Sequence, residues 1–358
     1  MHRRPRHGGN LVWAGAVAGC PPSAILDFSA SINPLGPPDS TVAAIKSNLG
    51  NIRHYPDPNY SELKEILGRF HKLPSEWILP GNGSAELLTW AARELAQVAA
   101  TVLTTPTFGD YYRALGSFHA KVLEFPMSLI NPNLSLIFDK GFTTKDKGLL
   151  LNNPHNPTGK LLARDAILPY LKEFALVVVD EAFMDFLHPR EEQSLIDLVQ
   201  EYPNLVILRS LTKFYSLPGL RLGYAIAHPQ RLQRWATWRD PWAVNSLATA
   251  AAIAAVEDRK FQQQTWEWLP KARNDLFKGL ADVPGLQPLK GAANFLLVES
   301  KHSTCDLQQK LLRHHKILIR DCLSFPQLGD SYFRVAVRLE SDNQRLLRAI
   351  EETIKGDK

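Results

Sequence analysis

A lysine at the end of a predicted strand is the residue of this chain best placed to do chemistry. Lys213 follows an apolar run, 205–208, and two hydroxyl residues, Ser210 and Thr212. A lysine ammonium that is partly desolvated, or near other cations, loses its proton more easily, and the free amine can form a Schiff base with an aldehyde. Arg221 follows a short distance further along and offers a planar fork that suits phosphate. The pattern therefore suits an aldehyde cofactor that carries a phosphate, such as pyridoxal 5′-phosphate (PLP).

Two further polar residues also follow predicted strands, and their placement supports this interpretation of Lys213. Asn156 comes after the apolar strand 148–151, and Asp180 comes directly after the uninterrupted apolar run 175–179. Such a run is typical of a strand covered on both faces of a parallel sheet, and ligands of these sheets bind beyond the carboxyl ends of the strands. We therefore expect Asn156, Asp180 and Lys213 to meet at one site.

A glycine-rich turn, Gly81-Asn82-Gly83, opens the predicted helix 84–96. A helix N-terminus carries free N–H groups and a partial positive charge, so it can bind a phosphate, and glycine lets the backbone come close to it. The alternative is a simple N-terminal cap by Ser84 with no ligand. The turn alone leaves both interpretations open.

The composition is that of an ordinary globular protein. The chain has 358 residues, of which 45% are hydrophobic and 22% charged, with a net charge of +5. No apolar run reaches the roughly 18 residues that span a bilayer, and the short basic start, 1–7, predicts a solvated arm rather than a nucleic-acid site. Three cysteines, Cys20, Cys305 and Cys322, show no metal-like spacing and favour a reducing compartment, which indicates the cytoplasm. Residues 11–20 fit either a lipoprotein-type leader or a short helix packed on the body.

The order of the predicted elements indicates an α/β fold with a mostly parallel, doubly covered sheet and a smaller α+β domain at the C-terminus. Strands and helices alternate through the middle of the chain, whereas the last third combines strands near 294–298, 317–320 and 332–338 with two helices. The predicted divisions are an N-terminal arm and small-domain segment over 1–40, a large domain over 41–235 and a small domain over 236–358.

The stretch 229–240 is predicted to connect the two domains. It carries Trp235 and Trp238, with Trp242 just beyond. Aromatic residues gathered on a connection favour packing at a domain junction or at a subunit contact.

Two arginines, Arg334 and Arg338, lie at an even offset on the predicted strand 332–338, so their side chains share one face. Two cations on one strand face are unfavourable unless an anion meets them. The alternatives are an anion-binding face and an exposed edge with solvated charges, and the residues alone leave both open.

Several motifs together resemble the fold-type I PLP-dependent enzymes, the aspartate aminotransferase superfamily. These motifs are Gly83-Ser84-Ala85-Glu86, Asn153-Pro154-His155-Asn156-Pro157-Thr158-Gly159, Val179-Asp180-Glu181-Ala182-Phe183, Ser210-Leu211-Thr212-Lys213 and Arg221-Leu222-Gly223-Tyr224. The resemblance runs over nearly the whole chain and is closest to the branch that contains histidinol-phosphate aminotransferases and threonine-phosphate decarboxylases. It implies PLP as the cofactor and a homodimer whose active sites are shared between the subunits.

The resemblance also implies a role for each residue of these motifs. Lys213 would hold PLP covalently and shuttle protons, Asp180 would keep the pyridinium nitrogen protonated, and Asn156 would donate to the ring O3′. Phe108 would stack on the ring. Phe183 departs from the family pattern, since many relatives have a tyrosine there whose hydroxyl also bonds O3′. The cofactor phosphate would be held by Ser84, Ala85, Ser210 and Arg221, and by Tyr55 from the other subunit.

Three segments resemble the decarboxylases of this branch more than its aminotransferases: the arm 7–10, the loop 27–36 and the stretch 320–338. The implied reaction is the decarboxylation of L-threonine O-3-phosphate, a small phosphorylated amino acid. The alternatives are a histidinol-phosphate aminotransferase and a non-catalytic PLP-binding protein. By this resemblance the substrate phosphate would be bound by Arg320 with His7 and Asn10, the α-carboxylate by Arg334 with support from Arg338, and Asn33 would be a further substrate contact.

Overall fold

The computed structural model describes residues 4–129, 134 and 144–356. Its strands are β1 Leu26–Asp27, β2 Ile78–Gly81, β3 Thr101–Thr105, β4 Val122–Pro126, β5 Gly148–Asn152, β6 Leu176–Asp180, β7 Leu205–Ser210, β8 Gly223–Ala227, β9 Leu286–Pro288, β10 Phe295–Ser300, β11 Ile317–Leu318, β12 Arg320–Asp321 and β13 Tyr332–Ala336. Its helices are α1 Leu11–Ala18, α2 Asp39–Ser47, α3 Ser61–His71, α4 Ser84–Leu95, α5 Asp110–Gly116, α6 Arg164–Glu173, α7 Leu211–Phe214, α8 Pro229–Ala236, α9 Ser246–Glu257, α10 Arg259–Ala281, α11 Thr304–Lys310 and α12 Glu340–Lys355. Within these ranges, no helix combines the length and the apolar character needed to cross a bilayer.

A seven-stranded sheet carries the centre of the molecule, in the order β2-β8-β7-β6-β5-β3-β4. All neighbours in it are parallel except β8, which runs antiparallel to both β2 and β7. The register sets Asn152 of β5 beside Asp180 of β6, and Asp180 beside Leu208 of β7. The carboxyl ends of these three strands therefore meet at one edge of the sheet, where ligands of such folds bind.

The two faces of this sheet are covered by separate cores. Val177 and Val179 of β6 belong to one hydrophobic cluster, whereas Leu176 and Val178 belong to the other. Because successive residues of a strand point to opposite faces, an unbroken run of apolar residues supplies both cores at once. The predicted doubly covered, mostly parallel sheet is confirmed.

A second, antiparallel sheet of the order β12-β13-β10-β9 forms the C-terminal part. The stretch predicted as one strand over 317–320 is split: β11 pairs in parallel with β1, whereas β12 pairs with β13. Helix α1 packs with Leu312 and Leu318, so residues 11–18 form the packed helix, one of the two alternatives for this segment.

The predicted connection over 229–240 was wrong, because residues 229–236 form helix α8. Proline at its first turn is pre-set for a helix, and Leu232 and Trp235 lie on one buried face. The Trp235 indole donates to the buried carboxylate of Glu94 at 2.8 Å, and Arg234 donates to the same carboxylate at 2.6 Å. Trp235 thus packs in the core of the large sheet, not at a domain junction.

The predicted domain boundaries stay a prediction. Helix α9, which the prediction places in the small domain, packs against α2 and α3. The strand β1, at the N-terminus, pairs with β11 near the C-terminus, as an arm that joins the small domain would do.

Candidate active site

A cavity of about 230 Å³ lies at the carboxyl ends of β5, β6 and β7. It is lined from the central sheet, from helices α4 and α7, from the N-terminal arm and from β12 and β13. Most of the residues predicted from the sequence line this one cavity: Ser84, Ala85, Phe108, Asn156, Asp180, Ser210, Lys213, Arg221, His7, Arg320 and Arg334.

Asp180 is a buried carboxylate at the end of β6, held by two hydrogen bonds. The hydroxyl of Tyr111 donates to its Oδ2 at 2.8 Å, and the backbone N–H of Ala182 donates to its Oδ1 at 3.0 Å. Burial raises the pKa of Asp180, and these two donors, with the nearby Lys213, oppose that rise. The carboxylate is therefore fixed in orientation and supported in its ionised form.

Lys213 lies on the short helix α7, directly after β7. The Ser210 side chain caps this helix, and its hydroxyl is 2.7 Å from the hydroxyl of Thr212. Burial lowers the pKa of Lys213 to about 8, helped by the charges of Arg334 and Arg221 and opposed by Asp180. Roughly a tenth of this amine is therefore unprotonated at pH 7, far more than for an exposed lysine, and the unprotonated form is the nucleophile for an aldehyde.

The lowered pKa of Lys213 has a consequence for stability, and we expect Lys213→Met to stabilise the cofactor-free protein by about 2–3 kcal/mol at pH 7. The unfolded chain binds the lysine proton up to pH 10.5, whereas the folded chain releases it near pH 8. Below pH 8 the folded state therefore bears the full cost of a buried ammonium, and this cost declines as the pH rises towards 10.5.

Urea unfolding of both proteins at pH 7 and pH 9.5 measures this difference in free energy of unfolding. The advantage of the methionine variant should shrink by about half or more at the higher pH. An advantage that stays constant with pH would show that the effect comes from packing alone.

Helix α4 and Arg221 form a cationic corner of the cavity. Gly83, just before the helix, has a φ of +78°, and a Cβ there would lie 2.5 Å from Arg221 Nη2. A Cβ on Gly223 would lie 2.6 Å from the backbone nitrogen of Ser84. Both glycines are thus needed for the guanidinium and β8 to approach the helix N-terminus, where N–H groups and the helix dipole favour an anion.

Asn156 and two aromatic residues form the walls between Asp180 and the arm. The Asn152 side chain accepts from the Asn156 backbone N–H at 2.7 Å, which fixes the loop after β5. Phe108 lines the cavity, and the ring of His7 is 5.7 Å from it. Phe183, at the position where many relatives have a tyrosine, packs edge-on against Phe295 at 5.0 Å.

Two buried arginines, Arg320 and Arg334, face the cavity from neighbouring strands of the small sheet, at directly opposed positions. Arg334 Nη1 donates to Asn156 Oδ1 at 2.5 Å, and its Nε has no partner among the described atoms. Arg320 donates to the Ser324 hydroxyl at 2.5 Å and to the carbonyl oxygen of Arg6.

Neither arginine forms an ion pair in the described part of the chain, and the carboxylates of Asp321 and Asp27 act on Arg320 and Arg334 only through space. Burial lowers the pKa of Arg334 to about 10, and the charge of Arg320 contributes to this fall. Like charges opposed across two strands are unfavourable, so the pair has the electrostatics of a site for an anion.

Two residues predicted at the site, Asn10 and Asn33, lie outside the cavity lining. Asn10 accepts from the Trp13 backbone N–H at 3.0 Å and so caps helix α1. The Asn33 side chain donates to the Phe214 carbonyl and to the Thr265 hydroxyl, both at 2.9 Å. Their predicted contacts with substrate stay predictions.

Arg338 and Tyr55 also lie outside the cavity lining. Arg338 pairs with Asp342 at 2.9 Å and donates to the Asp27 carbonyl at 3.3 Å. Tyr55 is 79% exposed, and its ring stacks on Trp242 with centroids 4.4 Å apart. Support of the α-carboxylate by Arg338 and a cofactor contact across subunits by Tyr55 stay predictions.

Among the residues that sequence reasoning missed, two bond directly to predicted site residues. Tyr111 bonds Asp180, yet nothing in the sequence distinguishes it from the adjacent Tyr112. Ser324 bonds Arg320 and lines the cavity from the loop after β12, where a single serine gives no signal.

The fold and the site together define the protein's class: the chain belongs to the aminotransferase class I and II family, whose match covers residues 23–350. It is 38% identical to a threonine-phosphate decarboxylase from Salmonella typhimurium, over 98% of this chain and 97% of that protein.

Two solved structures share its fold over most of their length. The L-threonine-O-3-phosphate decarboxylase of Porphyromonas gingivalis matches with a TM-score of 0.82 and 26% identity, over 92% of this chain and 99% of that one. The histidinol-phosphate aminotransferase of Clostridium acetobutylicum matches with a TM-score of 0.85 and 27% identity, over 93% of this chain and 100% of that one. Likeness of fold alone therefore does not separate the two activities.

Enzymes of this family use PLP, and the cavity residues fit that cofactor. Arg221 and the N-terminus of α4, which the glycines keep accessible, would suit its phosphate, and the buried Lys213 amine would suit its aldehyde. The buried carboxylate of Asp180 suits a protonated ring nitrogen.

Proposed function

We propose that this chain catalyses the PLP-dependent decarboxylation of L-threonine O-3-phosphate to (R)-1-aminopropan-2-ol O-phosphate and CO₂. The observation that carries the proposal is the pair of buried arginines, Arg320 and Arg334, which line the same cavity as Lys213 and form no ion pair among the described residues. A substrate that carries both a phosphate and a carboxylate balances both charges. The 38% identity to a threonine-phosphate decarboxylase supports the same substrate.

Three residues, Asp180, Lys213 and Arg334, have different roles in this reaction. When bound, PLP supplies an electron-withdrawing ring that accepts the electron pair left as the bond from Cα to the carboxylate breaks. Asp180 holds the proton on the ring nitrogen, and Lys213 moves protons at the reacting carbon. Arg334 orients the α-carboxylate so that the carboxylate leaves rather than a hydrogen.

Arg320 binds the substrate phosphate, and His7 and Ser324 line the same part of the cavity. The Arg320 fork suits bidentate contacts to phosphate, and burial removes competing water. Ser84, Ala85, Ser210 and Arg221, which line the same cavity, would hold the cofactor phosphate. The product would supply the linker of the nucleotide loop of cobalamin.

A homodimer and a cytoplasmic location are part of this proposal. Four exposed large apolar residues support a subunit contact: Leu49, Ile52, Tyr55 and Trp242, of which the last two stack on each other. Tyr55 in this group is the residue predicted to reach the cofactor phosphate of the partner subunit. Large apolar side chains that are exposed together often belong to interaction surfaces.

A direct assay of the purified protein tests the reaction. Incubation with L-threonine O-3-phosphate should release CO₂ with no 2-oxoglutarate present. Formation of glutamate from 2-oxoglutarate when histidinol phosphate is supplied would assign the protein as the aminotransferase instead. Borohydride trapping of PLP without turnover of either substrate would indicate a binding protein that is not an enzyme.

The proposed phosphate contact predicts that Arg320→Gln raises the KM for L-threonine O-3-phosphate by about 100-fold or more. Loss of a buried charge-assisted pair of hydrogen bonds to phosphate weakens substrate binding by several kcal/mol. Steady-state CO₂ release over a range of substrate concentrations measures this effect.

The matched control is Arg69→Gln, which removes an arginine whose side chain is 68% exposed and pairs only loosely with Glu257 at 3.8 Å. It should leave KM unchanged within a factor of about two. An Arg320→Gln enzyme with the wild-type KM would remove Arg320 from the substrate site.

A further inference from the structure

The hydroxyl of Tyr111 contacts Asp180, the carboxylate on which the proposed chemistry depends. The Tyr111 side chain is buried, with 1% of its surface exposed, and its hydroxyl is 2.8 Å from Asp180 Oδ2. The backbone N–H of Ala182 occupies the other oxygen at 3.0 Å. Each carboxylate oxygen therefore accepts one hydrogen bond from the protein and keeps a further lone pair for a ligand.

We propose that Tyr111 is a positioning residue whose hydroxyl keeps the Asp180 carboxylate ionised, so that the shared proton stays on the ring nitrogen of PLP. The inference rests on the proposed function, because that function assigns Asp180 to the ring nitrogen. It adds a residue that acts through Asp180 and does not itself touch the substrate.

The physical reason is the competition between two groups for one proton. Burial raises the pKa of Asp180, and a hydrogen bond to the ionised form acts in the opposite direction. Without the Tyr111 donor, the carboxylate would hold the proton more tightly, and the ring would lose positive charge. Burial and the charge of Asp180 raise the pKa of Tyr111 well above its usual range, so its hydroxyl remains a donor.

Tyr111 also supports a second wall of the site. Its ring meets Phe108 edge to face, with centroids 5.7 Å apart and an interplanar angle of 89°. Phe108 is the residue predicted to stack on the cofactor ring. Replacement of Tyr111 by phenylalanine keeps this aromatic contact and removes only the hydroxyl, so it isolates the hydrogen bond to Asp180.

The adjacent Tyr112 provides a matched control. Its hydroxyl bonds the exposed carboxylate of Glu124 at 2.8 Å, away from the cavity. Tyr112→Phe makes the same chemical change on the same helix and should leave the cofactor and the reaction unaltered.

The test compares wild type, Tyr111→Phe and Tyr112→Phe as PLP-loaded enzymes. Tyr111→Phe should lower kcat about 10- to 100-fold with KM within about threefold, since a hydrogen bond to a charged group is lost and substrate contacts are not. The pH midpoint of the visible absorption of bound PLP should rise, because a less positive ring lets the Lys213 nitrogen keep its proton to higher pH. The dissociation constant for PLP should rise as well.

Site-specific 3-fluorotyrosine at position 111 tests the same inference in the opposite direction. The fluorinated phenol is a stronger donor, so the absorption midpoint should fall while folding is unaffected. This variant also keeps the test decisive if Tyr111→Phe folds poorly, which thermal unfolding of the cofactor-free protein would report.

The outcomes separate this inference from the proposed function. If wild type releases CO₂ and the absorption midpoint and kcat of Tyr111→Phe match it, the role of Tyr111 is refuted and the function stands. If no threonine phosphate is consumed but both substitutions at position 111 shift the midpoint in opposite directions, the role of Tyr111 stands and the substrate is wrong.

Discussion

Replacement of Lys213 by methionine should lower the rate of CO₂ release by at least about 10⁴-fold. This side chain supplies both the covalent attachment and a proton transfer, and a proton transfer alone contributes roughly 10²- to 10⁴-fold. The buried amine with a pKa lowered to about 8 is the only group of the described cavity lining suited to both tasks. The measurement is release of labelled CO₂ from carboxyl-labelled L-threonine O-3-phosphate.

The control is Lys172→Met, which removes an exposed lysine from the last turn of α6 and should retain full activity. Borohydride reduction and peptide mass mapping should mark Lys213 in wild type and in this control. A Lys213→Met enzyme that keeps more than about one per cent of the wild-type rate would exclude Lys213 as the nucleophile. Because the same variant is expected to be more stable, loss of activity could not be attributed to unfolding.

Replacement of Asp180 by asparagine should lower kcat by roughly 10³-fold or more. Asparagine has nearly the same shape as aspartate but no negative charge, so it cannot keep a ring nitrogen protonated. The electrostatic effect of the Asp180 carboxylate is large because the site is buried. Single-turnover and steady-state rates of CO₂ release measure the loss. The visible absorption of bound PLP should change at the same time.

Asp197→Asn is the matched control for this substitution. The side chain of Asp197 is 66% exposed and pairs with Arg164, and neither residue lines the cavity, so the rate of Asp197→Asn should equal that of wild type. An Asp180→Asn enzyme within tenfold of the wild-type kcat would require a different acid partner for the cofactor.

The central sheet and the convergence of its strand ends could be predicted from the sequence. Residues 175–179 are apolar without interruption because their side chains supply two cores, whereas a strand with one face in water would alternate apolar and polar residues. Once a parallel sheet is expected, Asn156, Asp180 and Lys213 must approach one another, since strands of one direction end at one edge. The cavity contains all three.

Other parts of the site depend on contacts between distant segments, which no local pattern encodes. The bond between Tyr111 and Asp180 joins residues from different strand–helix units. Helix α8 does carry local signals, proline at its first turn and Leu232 and Trp235 on one face, but its contact with the buried carboxylate of Glu94 joins distant segments. The prediction that Arg334 and Arg338 share one strand face was wrong, because β13 ends at Ala336 and Arg338 lies beyond it, where it pairs with Asp342 of α12.

The guanidinium groups of Arg320 and Arg334 lie on opposed positions of two neighbouring strands, so their positive charges repel each other. A ligand with two anionic groups would lower the free energy in two ways. It would form hydrogen bonds with both arginines, and it would reduce the repulsion between them. An analogue that lacks either anionic group would leave part of the repulsion between the two arginines uncompensated. Selectivity for doubly anionic molecules therefore comes from the repulsion between the two arginines as well as from their contacts with the ligand.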